Sequence, residues 1–401
     1  HAIMPHELLF VVGEFDRLQR AAGRAVAGVE IQHDVVLALE RGKTHRLHIG
    51  VGEGKERRGV SYLQHVCFHV PDDSKLSREI VKRRANPVAS IRNTGGDGCG
   101  SHDYGARMVS VRKSDNQSSR FDPTGEVDLE NPAAVGTAIK SILDALYGDG
   151  YDSALLAREI DAVVRAYRGD YPGLLRCDTL YHDLRHALET GLTTARLIDA
   201  QAGPLPAGSA GRIDGSRALL AVLLALFHDI GLLRRDTEAK SKGAVFTPVH
   251  EERGVEFMLR HLAQTSLAAF AGKAELIMLT KLIFKPPDTW SAPDRNLANI
   301  VAAADLLSQL ADCCYLEKCW SFLFVEFATF GIADTPESTY PDRPTLMIKT
   351  HEFYSTLVVP RLEQDLFSVH RLMAAYYSGD DPYEKSIQRN LGYLEAVLSL
   401  Q

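Results

Sequence analysis

Four side chains able to hold a metal ion stand in an ordered series along this chain. His186 closes the run Tyr181-His182-Asp183-Leu184-Arg185-His186-Ala187, His228 and Asp229 follow as an adjacent pair, and Asp305 comes after the apolar stretch Ile300-Val301-Ala302-Ala303-Ala304. Imidazole and carboxylate are the donors expected around zinc, magnesium or manganese in a hydrolytic site. The His-Asp pair ends one apolar segment and Asp305 sits inside another, with no basic residue beside either. An ionised carboxylate there is costly unless it is paired or bound to a cation. Ordinary core or surface roles would account for His182 or His186 taken singly, but not for two carboxylates placed this way. His182 and His186 lie four apart, the spacing that a helix turns to one face.

The elements that must position these residues begin near Asn131-Pro132, where the texture of the chain changes. From there on it reads as helix after helix, over residues 132–147, 153–167, 180–200, 216–230, 251–262, 274–283, 295–323, 349–370 and 382–400. The segment 216–230 is nearly all apolar and stops at Gly231, as a buried central helix would. Before this point the pattern is mixed. Residues 35–39, 47–51 and 60–70 look strand-like, with Gly50, Gly52, Gly54 and Gly59 as turns. The expected fold is therefore α+β overall: a smaller mixed, strand-containing N-terminal domain (1–92), a Gly- and Ser-rich loop or linker (93–132), and an all-α domain (133–401).

The 401 residues are 45% hydrophobic and 24% charged, so a sizeable core can form. A net charge of -7 argues against a nucleic-acid backbone as partner, because such proteins carry a basic patch. No apolar run reaches the roughly 18 residues that span a bilayer, so no membrane partner is expected. No secretory signal is legible, and the six cysteines, lacking any C-x-x-C pair, are expected to be reduced in a cytoplasmic protein.

The second half of the chain resembles the HD superfamily of metal-dependent phosphohydrolases, and more narrowly the class I 3′,5′-cyclic-nucleotide phosphodiesterases. The family's Y-H-N-x-x-H-A is similar to Tyr181–Ala187, with Asp183 in place of Asn; its His-Asp pair matches His228-Asp229, and its A-D-L matches Ala304-Asp305-Leu306. Its V-E-F-F-x-x-G resembles Val325-Glu326-Phe327-Ala328-Thr329-Phe330-Gly331, and its F-I-x-x-I-V-x-P-L-x-E resembles 353–363. The matches run in the family's order from about 180 to 365. The resemblance implies that His186, His228, Asp229 and Asp305 hold a first ion, zinc (or iron), and that Asp229 bridges to a second, magnesium or manganese. It further implies that His182 is the general acid and that a small-molecule cyclic nucleotide, cyclic AMP before cyclic GMP, is hydrolysed to its 5′-monophosphate by a two-metal mechanism. Tyr181 and Phe353 would belong to the substrate site, Phe353 stacking on the base.

This chain also departs from the family. Thr350 stands where the family carries a base-reading Gln three residues before Phe353, and Leu232 replaces a further His after the His-Asp pair. His250 is a second-metal or phosphate ligand, as extra histidines are in other HD hydrolases, or else an exposed helix-start residue. These departures keep open another HD phosphohydrolase, acting on a nucleotide, a (p)ppGpp-like molecule or a cyclic dinucleotide, and a nucleotide-sensing module without turnover. A homodimer is compatible with the sequence. His33-Asp34, His65 with His69, and the Gly-rich stretch 95–100 read as surface or loop features. Cys313, Cys314 and Cys319 read as packing residues, and Arg234-Arg235 as solvated charge near enough to the metal motif to meet phosphate.

Overall fold

A computed structural model describes residues 35–39, 43–47, 120–209 and 211–399. The chain divides into two units, His1–Gly98 and Cys99–Gln401. In the first, β1 (Val35–Leu39) and β2 (Lys43–Leu47) form an antiparallel hairpin with Val35 opposite Leu47 and Leu39 opposite Lys43. The strand expected at 35–39 is this β1. The strand expected at 47–51 meets the described residues only at Leu47, the last residue of β2, and 60–70, His65 and His69, His33-Asp34 and the Gly-rich stretch 95–100 lie outside them.

The α+β reading is corrected. Among the described residues helix predominates, and the only paired strands are these two; a lone two-stranded ribbon is not a sheet layer on which helices could pack. The described protein is mostly all-α, and a strand-containing N-terminal domain is not supported.

The second unit begins its helices where Asn131, in an extended conformation, accepts from the backbone N–H groups of Ala133 and Ala134 and Pro132 opens α1 (Pro132–Tyr147). Asp152 caps α2 (Ser153–Arg168), Asp183 caps α3 (Leu184–Ala202) and Asp214 caps α4 (Gly215–Leu226) in the same way. Then come α5 (His250–Leu262), α6 (Ala292–Leu310), capped by Ser291, and a bent run in which α7 (Tyr315–Lys318) passes through a π-helical turn (Cys319–Leu323) into α8 (Phe324–Phe330). Next are α9 (Arg343–Phe353), which continues into a π-helical turn (Tyr354–Val358), α10 (Leu372–Tyr376) and α11 (Pro382–Leu398).

At the centre is α4, whose residues from Ala218 to Leu226 are all buried. It packs between α3 and α6. The stretch Gly215–Leu232 is long and apolar enough to cross a membrane, but 89% of it lies inside the protein, the mark of a core helix.

Several expected helix boundaries move: the helix expected at 274–283 is a 3-10 stretch (Ala268–Thr280), that at 295–323 ends at Leu310, and that at 349–370 starts at Arg343; two further moves matter to the site. Asp183 captures the N–H of His186 at 2.9 Å and holds an extended backbone, so α3 starts after His182. His182 and His186 therefore do not share a helix face. The central helix ends at Leu226, and His228-Asp229 lie in the turn beyond it, before a short 3-10 turn (Ile230–Leu232).

Candidate metal centre

The ends of three elements and the middle of one helix converge. His186, two turns from the middle of α3, points its Nε2 at the Nε2 of His228 (3.2 Å), at Oδ1 of Asp305 on α6 (3.1 Å) and at Oδ2 of Asp229 (3.5 Å). His228 Nε2 lies 3.2 Å from Asp229 Oδ2 and 3.4 Å from Asp305 Oδ1. Ligands about 2.1 Å from one ion stand about 3.0 Å apart in an octahedron and about 3.4 Å apart in a tetrahedron. The four side chains are all buried; His186, His228 and Asp229 bring ligand atoms within 4.8 Å of one another, and Asp305 Oδ1 approaches the group through the two histidines.

The histidine tautomers point the same way. His228 Nδ1–H donates to the carbonyl of Ala225 (2.8 Å), which leaves a lone pair on Nε2. Ser308 Oγ–H donates to Asp305 O (2.9 Å) and faces His186 Nδ1 at 3.4 Å as acceptor, so His186 also presents a bare Nε2. With both rings neutral, two nitrogen lone pairs and the carboxylate oxygens would face one another without protons between them. Asp229 Oδ2 is buried with no hydrogen-bond partner, which is unusual for a carboxylate oxygen unless a cation meets it. Protons on the imidazoles are one remedy. Burial pushes His228 down, but the Asp229 and Asp305 carboxylates outweigh it and hold the imidazole well above its ordinary range. A divalent cation is the other remedy, and it satisfies all four donors at once. The donor set fits such an ion.

The other oxygen of Asp229, Oδ1, lies 3.3 Å from Nε2 of His250, the first residue of α5. His250 Nδ1 donates to Thr247 O at 2.7 Å, so in the neutral ring Nε2 is again the bare nitrogen. Asp229 therefore offers one oxygen to the His186–His228–Asp305 group and the other to His250. Burial would push His250 down, yet the nearby carboxylates of Glu251 and Asp229 raise it to about 9.

His182 stands beside this group, its ring 6.2 Å from that of His186 and 6.5 Å from that of His250. Its Nδ1 is 2.7 Å from Oε2 of Glu326 on α8, and the other Glu326 oxygen accepts the backbone N–H of Tyr181 at 2.6 Å. Glu326 is buried and thereby fixes both the ring and the loop that carries it. Burial opposes a charge on His182, but the Glu326 carboxylate more than reverses this and raises the imidazole.

The expected residues fare unequally. His182, His186, His228, Asp229, Asp305 and His250 are brought together. Tyr181 is buried and its hydroxyl donates to Gln309 Oε1 (3.2 Å), while Gln309 Nε2 donates to Asp305 Oδ1 (2.6 Å). Tyr181 thus braces a carboxylate. The buried Thr350 spends its hydroxyl on Leu346 O at 2.8 Å, and Phe353 is packed, half-buried, against the core. No hydrogen bond or ion pair of the cluster reaches either. Arg234 donates to the carbonyls of Ser241 and Arg176, and Arg235 pairs with Glu256. Arg235 also lines a cleft of about 300 Å³ that contains none of the cluster residues.

The sequence reading gave no role to Glu326 or Gln309. Gln309 lies four residues after Asp305, one helical turn on, which was a usable signal. Glu326 is 144 residues from His182 and only the fold joins them.

Among known families, a model described as Npun_R2479-like matches residues 233–374. That span includes His250, Asp305 and Glu326 and leaves out His182, His186, His228 and Asp229; the description names no reaction. No curated protein matches the sequence.

Proposed function

We propose that this cluster is a divalent metal centre of a phosphoester hydrolase, and that its substrate is a 3′,5′-cyclic nucleotide released as the 5′-monophosphate. The observation that carries the reading is the convergence of His186 Nε2, His228 Nε2 and Asp229 Oδ2, with Asp305 Oδ1 3.1 Å from His186 Nε2 and 3.4 Å from His228 Nε2, and with the Nδ1 atoms of both rings engaged away from the centre. His186, His228, Asp229 and Asp305 would hold one ion, zinc by their donor set. Asp229 and His250 would hold a second, magnesium or manganese, whose coordination water would complete. When bound, the ions supply Lewis acidity that activates water and offsets phosphoryl charge. His182, oriented through Nδ1 by Glu326, keeps a proton on Nε2 for the departing 3′ oxygen. The place of action would be the cytoplasm, where the cysteines stay reduced.

His250 favours a second reading, hydrolysis of another phosphoester such as a nucleotide, a (p)ppGpp-like molecule or a cyclic dinucleotide. It places a fifth ligand beside Asp229, while the Thr350 hydroxyl, at the family's base-reading position, is already engaged within its own helix.

Elemental analysis of the purified protein and a substrate panel with added Mn²⁺ or Mg²⁺ test both. Stoichiometric metal, and conversion of cyclic AMP or cyclic GMP to the 5′-monophosphate, both lost in Asp229→Ala, are expected. Turnover of a cyclic dinucleotide or 5′-nucleotide alone would select the second reading, and full activity in Asp229→Ala would overturn both.

A further inference from the structure

Between α6, which carries Asp305, and α7, which leads to Glu326, the chain turns through Asp312-Cys313-Cys314. The two thiols face each other with their sulfurs 3.9 Å apart, and both are partly exposed. The other two described cysteines are set differently. Cys319 is buried, which pushes its thiol up to about 12, and burial pushes Cys177 up to about 11 while its sulfur contacts Thr179. Asp312 is no ready third ligand for a metal here: one oxygen accepts from Arg185 (2.7 Å) and Lys318 (2.6 Å), and the other accepts the backbone N–H of Cys314 (2.8 Å).

We propose that Cys313 and Cys314 are a redox-active vicinal dithiol, which a hydroperoxide closes to a disulfide and a small dithiol reopens. One thiolate attacks the peroxide O–O bond to give a sulfenic acid, and the departing oxygen takes a proton and leaves as water or an alcohol. The second thiolate attacks that sulfenic sulfur, the S–S bond forms, and hydroxide leaves and is protonated to water. Two thiols lose two electrons and two protons, and the hydroperoxide receives them.

The geometry makes this step both reachable and reversible. A disulfide needs its sulfurs at about 2.05 Å, so they must approach by somewhat under 2 Å, within reach of rotation about the two Cα–Cβ bonds. Cys314 is in a turn conformation (φ −109°, ψ 20°) at the N-cap of α7, where its carbonyl accepts the Lys318 N–H at 2.9 Å. Adjacent Cα atoms are only about 3.8 Å apart, below the roughly 4.4 Å floor of ordinary disulfides. The closed ring is therefore strained, and strained disulfides are the easily reduced ones. Closure must also turn the peptide whose N–H is bonded to Asp312, and Asp312 holds Arg185, the residue beside His186.

Peptide mass spectrometry tests this without any turnover, so its outcome is independent of the reading of the metal centre. The full chain is treated with hydrogen peroxide or, separately, with phenylarsine oxide, a probe that condenses with two neighbouring thiols. Peroxide is expected to remove two hydrogens from the peptide holding both cysteines, and dithiothreitol to restore them. One arsenical is expected per chain, lost in Cys313→Ser and in Cys314→Ser. Independent oxidation of each sulfur to sulfinic acid, or arsenical capture that survives in either variant, would overturn the proposal.

Discussion

Gly231→Ala is the sharpest test of how the turn after α4 is built. Gly231 lies in the 3-10 turn after Asp229, against the first residues of α5. A Cβ placed on it would stand 1.9 Å from His250 O and 2.8 Å from Gly254 N, both backbone atoms, whereas real Cβ atoms stay beyond 3.0 Å. No rotamer change can relieve this contact. The turn and α5 must part by about 1.1 Å, the difference between 3.0 and 1.9 Å. Three things stretch with it: Arg253 Nε to Gly231 O (2.7 Å), Arg253 to Leu233 O (3.1 Å), and His250 Nε2 to Asp229 Oδ1 (3.3 Å). Overpacking of a rigid contact costs about 1–3 kcal/mol, and a weakened buried hydrogen bond adds about 1 kcal/mol. A loss of about 2–4 kcal/mol would lower Tm by roughly 3–7 °C in a helical unit of this size. Gly272→Ala is the control, because nothing lies within 4 Å of its would-be Cβ; it should stay within about 0.5 kcal/mol of the parent. Differential scanning calorimetry of the three proteins decides. A Gly231→Ala protein melting with the parent and with Gly272→Ala would refute the close approach and with it the placement of His250.

His182→Ala should keep its metal content and lose turnover by about two to four orders of magnitude; equal loss of metal would make His182 a ligand. Glu326→Gln keeps the shape but removes the charge that raises His182, so the alkaline limb of the pH–rate profile should move to lower pH, and an unmoved limb would deny Glu326 this role. Glu238 is held at about 2 by its hydrogen bonds from Arg253, against partial burial. A carboxyl with a depressed folded pKa stabilises above its unfolded value, near 4.5, and that contribution fades as pH falls toward 2. The Tm gap between parent and Glu238→Gln should therefore be present at pH 6 and shrink on acidification; a pH-independent gap would contradict it.

Much of the helical unit was legible because its signals are local. Asn131-Pro132 and Asp381-Pro382 open helices where their side chains cap the first turn, and the apolar residues of α4 could only be core. The four central candidate ligands were legible for a related reason: Asp229 and Asp305 are acids inside apolar segments, and that conflict shows in sequence. Glu326 showed no such conflict. Its partners, His182 and the Tyr181 N–H, are supplied by a distant loop, and its own helix gives no hint of them. Thr350 and Phe353 were placed by motif position alone, and packing turns the Thr350 hydroxyl back into its own helix.

The misjudged helix end is the most instructive difference. Apolar spacing carries the central helix to Ile230, since nothing in the side chains marks an earlier stop. In the structure it ends at Leu226. Had it continued, the Ala225 carbonyl would be bonded by the Asp229 N–H in the i to i−4 ladder. Because the helix stops, that carbonyl is one of the last-turn acceptors left over, and His228 Nδ1–H takes it at 2.8 Å. The same holds before α5, where Thr247 O accepts His250 Nδ1–H. The unsatisfied backbone at two helix ends engages two histidine Nδ1 atoms, and both rings turn their Nε2 to Asp229. An elongated α4 would keep every candidate ligand in the sequence and lose the arrangement that brings them together.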